Sequence, residues 1–529
     1  MPGTPTTRDR RGAAKAEGRT AGRRGERRTL RRILIGVSTL ACVLLTTLGG
    51  SFLWLWTTAD TSTVGRTSFR NELAIPPLAE PTRVKADGTK VFDLRMQAGE
   101  TEFRAGLKTP TWGFNGSHLG PTLRAHRGDK VEVRVHNRLD EPSTVHWHGM
   151  HLPARMDGGP HQTVRPGSTW APRWEIDQPA ATLWYHPHPH GRTQNHVQRG
   201  LAGLFLLDDD RSTALALPRR YGVDDLPVIV QDVRFDGAEL DRGRGLMQAV
   251  GFLGDRTMVN GTLEPYREVK DELVRLRLLN ASVSRTYAFG FADNRRFVQV
   301  ATDGGLLPRP EPMTRLQLSP GERAETVVRM SPGERVVLRS HPQDYGEAWS
   351  TRFSGGDDSF DVLELKAAAT LRPSPGLPSS LGALEVPDGS QATRGRRFDL
   401  KVSGINGQAM AMDRTDETVV RGTTEIWTVR NGDGMPHNFH VHDVQFRVLR
   451  VNGKAPPPHL RGAKDTVFVP NGTTMKLALR FDGPADPAAP YMYHCHLLYH
   501  EDVGMMGQFV VVEKGQRARG PGRDAHTGH

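Results

Sequence analysis

The stretch Tyr493-His494-Cys495-His496-Leu497-Leu498-Tyr499-His500 places one cysteine between two histidines, with Met505 a few residues on. If His494–His496 is extended, side chains alternate, so both imidazoles point one way and the Cys495 thiol the other. That geometry serves two metal sites back to back. A cysteine, two histidines and a distant methionine form the ligand set of a blue-copper electron-transfer site. His500 and Met505, five and ten residues past Cys495, supply the second half of such a set. Four His-x-His pairs accompany it: His146/His148, His186/His188, His440/His442 and His494/His496. On a strand each pair sets two imidazoles on one face roughly 6–7 Å apart, which reaches two neighbouring ions rather than chelating one. Eight imidazoles suit a cluster of about three coppers, and Trp147, Trp184, Tyr185 and Phe439 furnish a dry surround. His151, His190 and His196 are expected behind the ligands. His118, His126, His136, His161, His341 and His459 are expected at the surface or in ordinary hydrogen bonds.

Positioning these residues calls for a β scaffold used three times. The 529 residues allow about three domains. Gly128–Asn137 alternates apolar and polar side chains as a half-buried strand does, Asp271–Asn280 repeats the form less strictly, and Gly422–Asn431 repeats it again. The closing asparagines lie 143 and 151 residues apart. Asn115-Gly116, Asn260-Gly261 and Asn406-Gly407 precede each strand as tight turns. The histidine pairs fall in the first and third repeats. The second has one histidine, His341, and reads as a spacer holding its neighbours face to face.

The formal charge of +11 is concentrated at the ends. Residues 1–32 carry eleven Arg/Lys against three acids, and the body 33–513 is formally neutral, which excludes a nucleic-acid-binding face. Ile33–Trp56 is an uncharged apolar run long enough to span a bilayer, with Trp54 and Trp56 at its outer end. It reads as an anchor or a signal, and the preceding arginines keep the N-terminus cytoplasmic, leaving the body outside. Arg27-Arg28-Thr29-Leu30 resembles a twin-arginine export signal. The expected organisation is a basic, disordered cytoplasmic tail (1–32), the membrane segment (33–56), a Pro-rich linker (57–85), domain one (86–215), domain two (216–371), a second linker (372–397), domain three (398–514) and a disordered tail (515–529).

The blocks His146-Trp147-His148-Gly149, Trp184-Tyr185-His186-Pro187-His188, His437-Asn438-Phe439-His440-Val441-His442 and His494-Cys495-His496 resemble the four copper motifs of three-domain multicopper oxidases. The likeness runs from about residue 85 to 513. Lys464-Asp465-Thr466-Val467 and His494–Met506 are most similar to bacterial copper-efflux oxidases and laccases. The resemblance implies an all-β fold of three consecutive cupredoxin-like domains after one transmembrane helix, and four copper ions. His437, Cys495, His500 and Met505 would bind the type 1 copper, and His146 and His440 the type 2. His148, His186, His188, His442, His494 and His496 would bind the type 3 pair. It further implies Asp157 and Glu501 as proton donors, Cys495 as the electron conduit, and Asp433 and Met435 at the substrate edge. The implied reaction couples four one-electron oxidations of a phenol, aromatic amine or Cu(I) to reduction of O2 to two waters. The sequence has no Met-rich insertion of the copper-efflux kind. Met410 and Met412, expected in the core, are its nearest counterpart, which favours a laccase-like phenol oxidase over a cuprous oxidase. A third reading, a copper-free structural envelope protein, conflicts with the complete ligand set.

Overall fold

A computed structural model of the chain describes residue 3 and residues 11–243, 250–346 and 349–520, with side chains of the N-terminal helix described from Arg28 onward. Met1–Ala59 and Asp60–His529 form two compact units. In the first, a single helix runs Arg11–Thr57. Its Arg28–Thr57 part is 30 residues long and apolar enough to cross a membrane. The helix takes in most of the basic segment expected to be disordered, because Ala, Arg, Lys and Glu are good helix formers and no proline interrupts them. Of the expected C-terminal tail, residues 521–529 lie outside the described residues.

Among the described residues, the second unit has six large sheets, two for each repeat. The first repeat pairs a sheet centred on Lys90–Arg104 and Lys130–Asn137 with one ordered Leu123–His126, Gly203–Asp208, Ala181–His186, His146–His148. The third repeats the plan: Ala392–Lys401 and Thr424–Asn431 centre one sheet, and Glu417–Val420, Met506–Val512, Tyr491–His494, His437–Val441, Thr466–Val469 form the other. In both, the two histidine-bearing strands are antiparallel neighbours, with His186 opposite His146 and His494 opposite His440. The corresponding pair in the second repeat, Tyr287–Phe291 and Arg335–His341, sets Ala288 opposite His341.

The repeated asparagines do repeated work. Asn115, Asn260 and Asn406 all have positive φ. Each accepts a backbone N–H through Oδ1, from Arg95, Ile229 and Asp399 respectively, at 2.8 Å. Each also donates from Nδ2 to a carbonyl two residues earlier on that strand, of Asp93, Pro227 and Arg397. Asn137, Asn280 and Asn431 end their strands fully buried, each donating to two backbone carbonyls. A side-chain amide that satisfies buried backbone groups at a strand end is costly to replace.

The weak alternation of the second repeat has a physical cause. Leu273–Asn280 lies inside a seven-stranded sheet and is buried along its whole length. Its arginines point into the junction with the first repeat rather than into water. Arg275 and Arg277 both bond the Glu325 carboxylate, which also accepts from Thr182 Oγ1 of the first repeat at 2.6 Å. Burial pushes the Glu325 carboxyl up, but the Arg275 and Arg277 guanidiniums outweigh it and hold it at about 2, against an ordinary 4.5. That difference corresponds to about 3 kcal/mol of stability. Because the folded-state value is depressed, this stabilisation is fully present above pH 4.5 and is lost as pH falls toward 2. Glu325→Gln is therefore expected to be about 3 kcal/mol less stable than wild type near neutral pH, with the gap narrowing in urea unfolding repeated near pH 3. A gap independent of pH would contradict the ion-pair account.

Two expected linkers are more ordered than their composition suggests. In the stretch 57–85, Thr61 N–H donates to Asp358 and Gly65 N–H to Asp361, Asn71–Glu72 pairs in parallel with Pro265–Asp271, and Arg83–Val84 joins the first repeat. Its prolines shorten the strands without releasing the chain. The stretch 372–397 is shorter than expected at its C-terminal side, since 392–397 opens the strand Ala392–Lys401, where Arg396 is ion-paired to Glu425.

Candidate copper centres

The thiol site is made by one strand and one tight return of the chain. Tyr491–His494 delivers Cys495 to the end of its sheet, and the short helix Leu498–Asp502 turns the chain back, so that Met505 N–H donates to the His500 carbonyl and Cys495 N–H to that of Met505. Gly504, at φ +99°, takes the backbone through the return. The neighbouring strand His437–Val441 supplies His437. The nitrogens His437 Nδ1 and His500 Nδ1 lie 3.1 Å apart, and Cys495 Sγ lies 3.8 and 3.6 Å from them. His437, Cys495, His500 and Met505 are all fully buried. Behind His437, its Nε2–H donates to both Asp433 oxygens at 3.0 Å. Burial pushes the Asp433 carboxyl up, but the His437 bond and the Val402 and Met435 backbone N–H groups outweigh it and keep it below its usual range. Asp433 is thus half-buried and bonded to the His437 ring. Met435 is half-buried on the core of the third repeat. Met410 and Met412 are not core residues: they occupy a half-buried loop beside the site, where Met410 N–H donates to the Gly504 carbonyl.

The eight paired histidines converge where the first and third repeats meet. Ring centroids within the pairs are 5.7, 6.2, 5.0 and 5.4 Å apart, slightly closer than ideal strand spacing. Only His146/His148 lies wholly within a strand; the other pairs begin at or near a strand end, where the chain is free to turn both rings inward. Three groups of nitrogen donors result: His146/His148/His440, His148/His186/His496 and His188/His442/His494. His188 Nε2 and His442 Nε2 lie 3.1 and 3.3 Å from His494 Nε2, and His148 Nδ1 and His496 Nε2 each lie 3.4 Å from His186 Nε2.

The opposite ring nitrogens are mostly engaged. His146 Nδ1–H donates to the Asp157 carbonyl, His440 Nδ1–H to that of Asp465, His186 Nδ1–H to that of Pro187 and His494 Nδ1–H to that of Cys495. His442 Nδ1–H donates to the Asp157 carboxylate at 2.7 Å. The inward Nε2 atoms of His146 and His440 are buried with no hydrogen-bond partner. Burial, then the neighbouring imidazoles, push His440, His442 and His496 well below their usual values, and burial lowers His494 to about 3. Neutral rings with one nitrogen tethered and the other aimed at a shared space are the form in which imidazole binds a metal. Burial pushes the Cys495 thiol up to about 12, so its thiolate requires a cation alongside it. The donor set fits copper: soft thiolate with imidazoles at one site, imidazoles alone at the other.

Asp157 and Glu501 both reach the cluster. Each is 1 % exposed. Glu501 sits between His188 Nδ1 and His494 Nδ1, at 3.3 and 3.2 Å. Burial, then the Asp502 carboxylate next to it, push the Glu501 carboxyl well above its usual range. Of the histidines expected behind the ligands, His196 instead bonds Ser143 and Glu141, and His190 is exposed. His161, expected as an ordinary polar group, is buried against Gln508. The sequence assigns no role to three further contributors. Asn438 Oδ1 accepts from His496 N–H and lies 3.6 Å from Cys495 Sγ. Asp465 Oδ1 accepts from His148 Nε2–H at 3.1 Å, and Arg323 of the second repeat forks onto Asp465. Nothing local marks Arg323, and Asp465 stands out only within the Lys464–Val467 likeness; both act across more than a hundred residues of sequence.

A three-domain β protein with a buried Cys–His–Met site joined through one tripeptide to a histidine cluster has the architecture of a multicopper oxidase. Residues 95–212 and 382–515 match multicopper oxidase family models. The chain is 35 % identical to the multicopper oxidase mco of Staphylococcus haemolyticus over 449 residues, covering 84 % of this chain and 93 % of that protein. It is 39 % identical to the cell division protein FtsP of Rahnella sp., covering 83 % and 92 %. A solved laccase-like multi-copper oxidase CueO from Ochrobactrum sp., with oxidase activity towards lignin model compounds and lignosulfonate, superposes with a TM-score of 0.76 at 37 % identity, covering 83 % of this chain and all of that one. The chain belongs to the multicopper oxidase family.

Proposed function

We propose that this protein carries four coppers and couples four one-electron oxidations of a phenolic or aromatic substrate to the reduction of O2 to two waters. The observation that carries the reading is the convergence of eleven histidine and cysteine side chains, buried and in two adjoining groups, with Met505 buried where the chain returns past Cys495. His437, Cys495, His500 and Met505 would hold the type 1 ion, and His146 and His440 the type 2. His148, His186 and His496 would hold one type 3 ion, and His188, His442 and His494 the other. Bound copper supplies reversible one-electron storage, so four equivalents can be gathered before O2 is reduced. The chain's own part is to join the sites through Cys495 and its flanking His494 and His496, to keep the cluster dry, to hold a proton at Glu501 and to set Asp157 beside the cluster as a second relay group. The helix Arg28–Thr57 would tether or export the body, placing it outside the cytoplasm.

A second reading, oxidation of Cu(I), is favoured by Met410 and Met412 on the half-buried loop that bonds to Gly504 beside the thiol site, since thioethers select cuprous ions. O2 uptake by the copper-loaded chain, compared between a methoxyphenol and a Cu(I) complex, separates the two. A higher kcat/KM with the phenol is expected. A clear preference for Cu(I), lost in the Met410→Leu/Met412→Leu double variant, would overturn the laccase-like reading in favour of the second.

A further inference from the structure

The second repeat holds none of the twelve ligand-type residues, yet it extends a loop into the histidine cluster. Gly321, at φ +84°, passes so close that an added Cβ would lie 3.1 Å from His496 and 3.2 Å from His148. Two residues later, Arg323 is fully buried, and its guanidinium uses all five of its N–H donors. Nε–H donates to the Thr182 carbonyl of the first repeat at 3.0 Å. Nη1 donates to the Gly321 carbonyl at 3.1 Å and Nη2 to that of Asp303 at 3.1 Å, both in the second repeat. The remaining two close a fork on Asp465 of the third repeat, at 2.7 Å each. One side chain therefore locks three domains together at the cluster.

Asp465 relays that lock to two rings. Its Oδ1 accepts from His148 Nε2–H at 3.1 Å, and its backbone carbonyl accepts from His440 Nδ1–H at 2.9 Å. Thr466 Oγ1 lies 3.0 Å from both of these ring nitrogens. The two rings stack at 3.8 Å. His148 is the exception among the eight imidazoles. It turns Nδ1 toward a neighbouring ring nitrogen, His186 Nε2, because its Nε2 is taken by Asp465 and Thr466, whereas His186, His188, His442, His494 and His496 meet their neighbours through Nε2. Asp303 and Lys464 brace the fork: Asp303 Oδ1 accepts from Arg323 N–H at 2.7 Å, and Lys464 Nζ lies 3.0 Å from Asp303 and 2.7 Å from Glu322.

We propose that Arg323 is a positioning residue for the imidazole cluster: by fixing Asp465, whose carboxylate holds His148 and whose backbone carbonyl holds His440, it sets the tautomer and orientation of both rings, so the second repeat helps to build the oxygen-reducing site. This rests on the four-copper reading above. A lysine at 323 keeps the charge but offers three donors in no fixed fork, so it cannot hold Asp465 and Thr182 together.

The test uses the copper-loaded full chain and the variants Arg323→Lys, Arg323→Gln and Asp465→Asn, each dialysed against graded chelator. Copper per chain, the type 2 electron paramagnetic resonance spectrum and the blue absorption band are recorded. Wild type holding about four coppers confirms the underlying reading first; if it fails there, that reading falls and not this inference alone. Arg323→Lys and Arg323→Gln are expected to release cluster copper at roughly 10- to 100-fold lower chelator, with an altered type 2 spectrum and the blue band retained. A purely structural role would instead lower thermal stability and lose both centres together, and that result overturns the proposal. So does wild-type copper retention with an unchanged type 2 spectrum. Should both Arg323 variants fail to fold, Asp465→Asn decides: selective cluster loss supports the relay, and unchanged retention refutes it.

Discussion

Cys495→Ser is expected to abolish the absorption band at about 600 nm and to reduce substrate-driven O2 uptake to background while leaving about three coppers bound. Sγ is the soft anionic donor within reach of His437 Nδ1 and His500 Nδ1, and serine offers a hard, poorly ionised hydroxyl in its place. The chain's other cysteine, Cys42, lies in the N-terminal helix. The flanking residues should keep their places, because His496 N–H is held by Asn438 and the backbone of Cys495 by Met505. The variant therefore separates the two centres: metal analysis reports the imidazole cluster, and the visible spectrum reports the thiolate. A retained blue band, or loss of all copper, would contradict the assignment.

Glu501→Gln is expected to lower kcat by about 10²- to 10³-fold, within the range that positioned proton donors contribute. The substitution keeps the shape and one hydrogen-bonding oxygen between His188 and His494 but removes the exchangeable carboxyl proton. Four protons are consumed for each O2 reduced to two waters, and Glu501, buried and 3.2–3.3 Å from two cluster rings, is placed to deliver them. The blue band and its anaerobic bleaching by substrate should remain, since both depend on the thiol site alone. Reoxidation of the bleached protein by O2, followed by stopped flow, should carry the whole deficit. Slow bleaching with normal reoxidation would assign Glu501 elsewhere. Asp157→Asn, at the ring of His442, provides the parallel case on the other side of the cluster.

Much of this organisation was legible in the residues. Asn115, Asn260 and Asn406, and the strand-ending Asn137, Asn280 and Asn431, recur because each copy of the domain needs the same buried backbone groups satisfied by an amide. The His-x-His pairs were legible because a metal cluster imposes residue type and spacing locally. What composition misjudged was order: the Pro-rich 57–85 stretch bonds to Asp358 and Asp361, and the basic N-terminal segment is helical from Arg11. What pattern reasoning could not reach were contacts made by the fold alone. Arg275 and Arg277 read as the polar side of a strand but face Glu325 across a domain junction, and Arg323 touches the cluster only through Asp465. Long-range buried ion pairs leave no period in a sequence.

The most direct measurement is total copper per chain, taken with an absorption spectrum, on the folded full-length protein after copper loading. The account predicts about four coppers and an intense band at about 600 nm from the Cys495 thiolate. A folded sample that binds no copper and shows no band would contradict it.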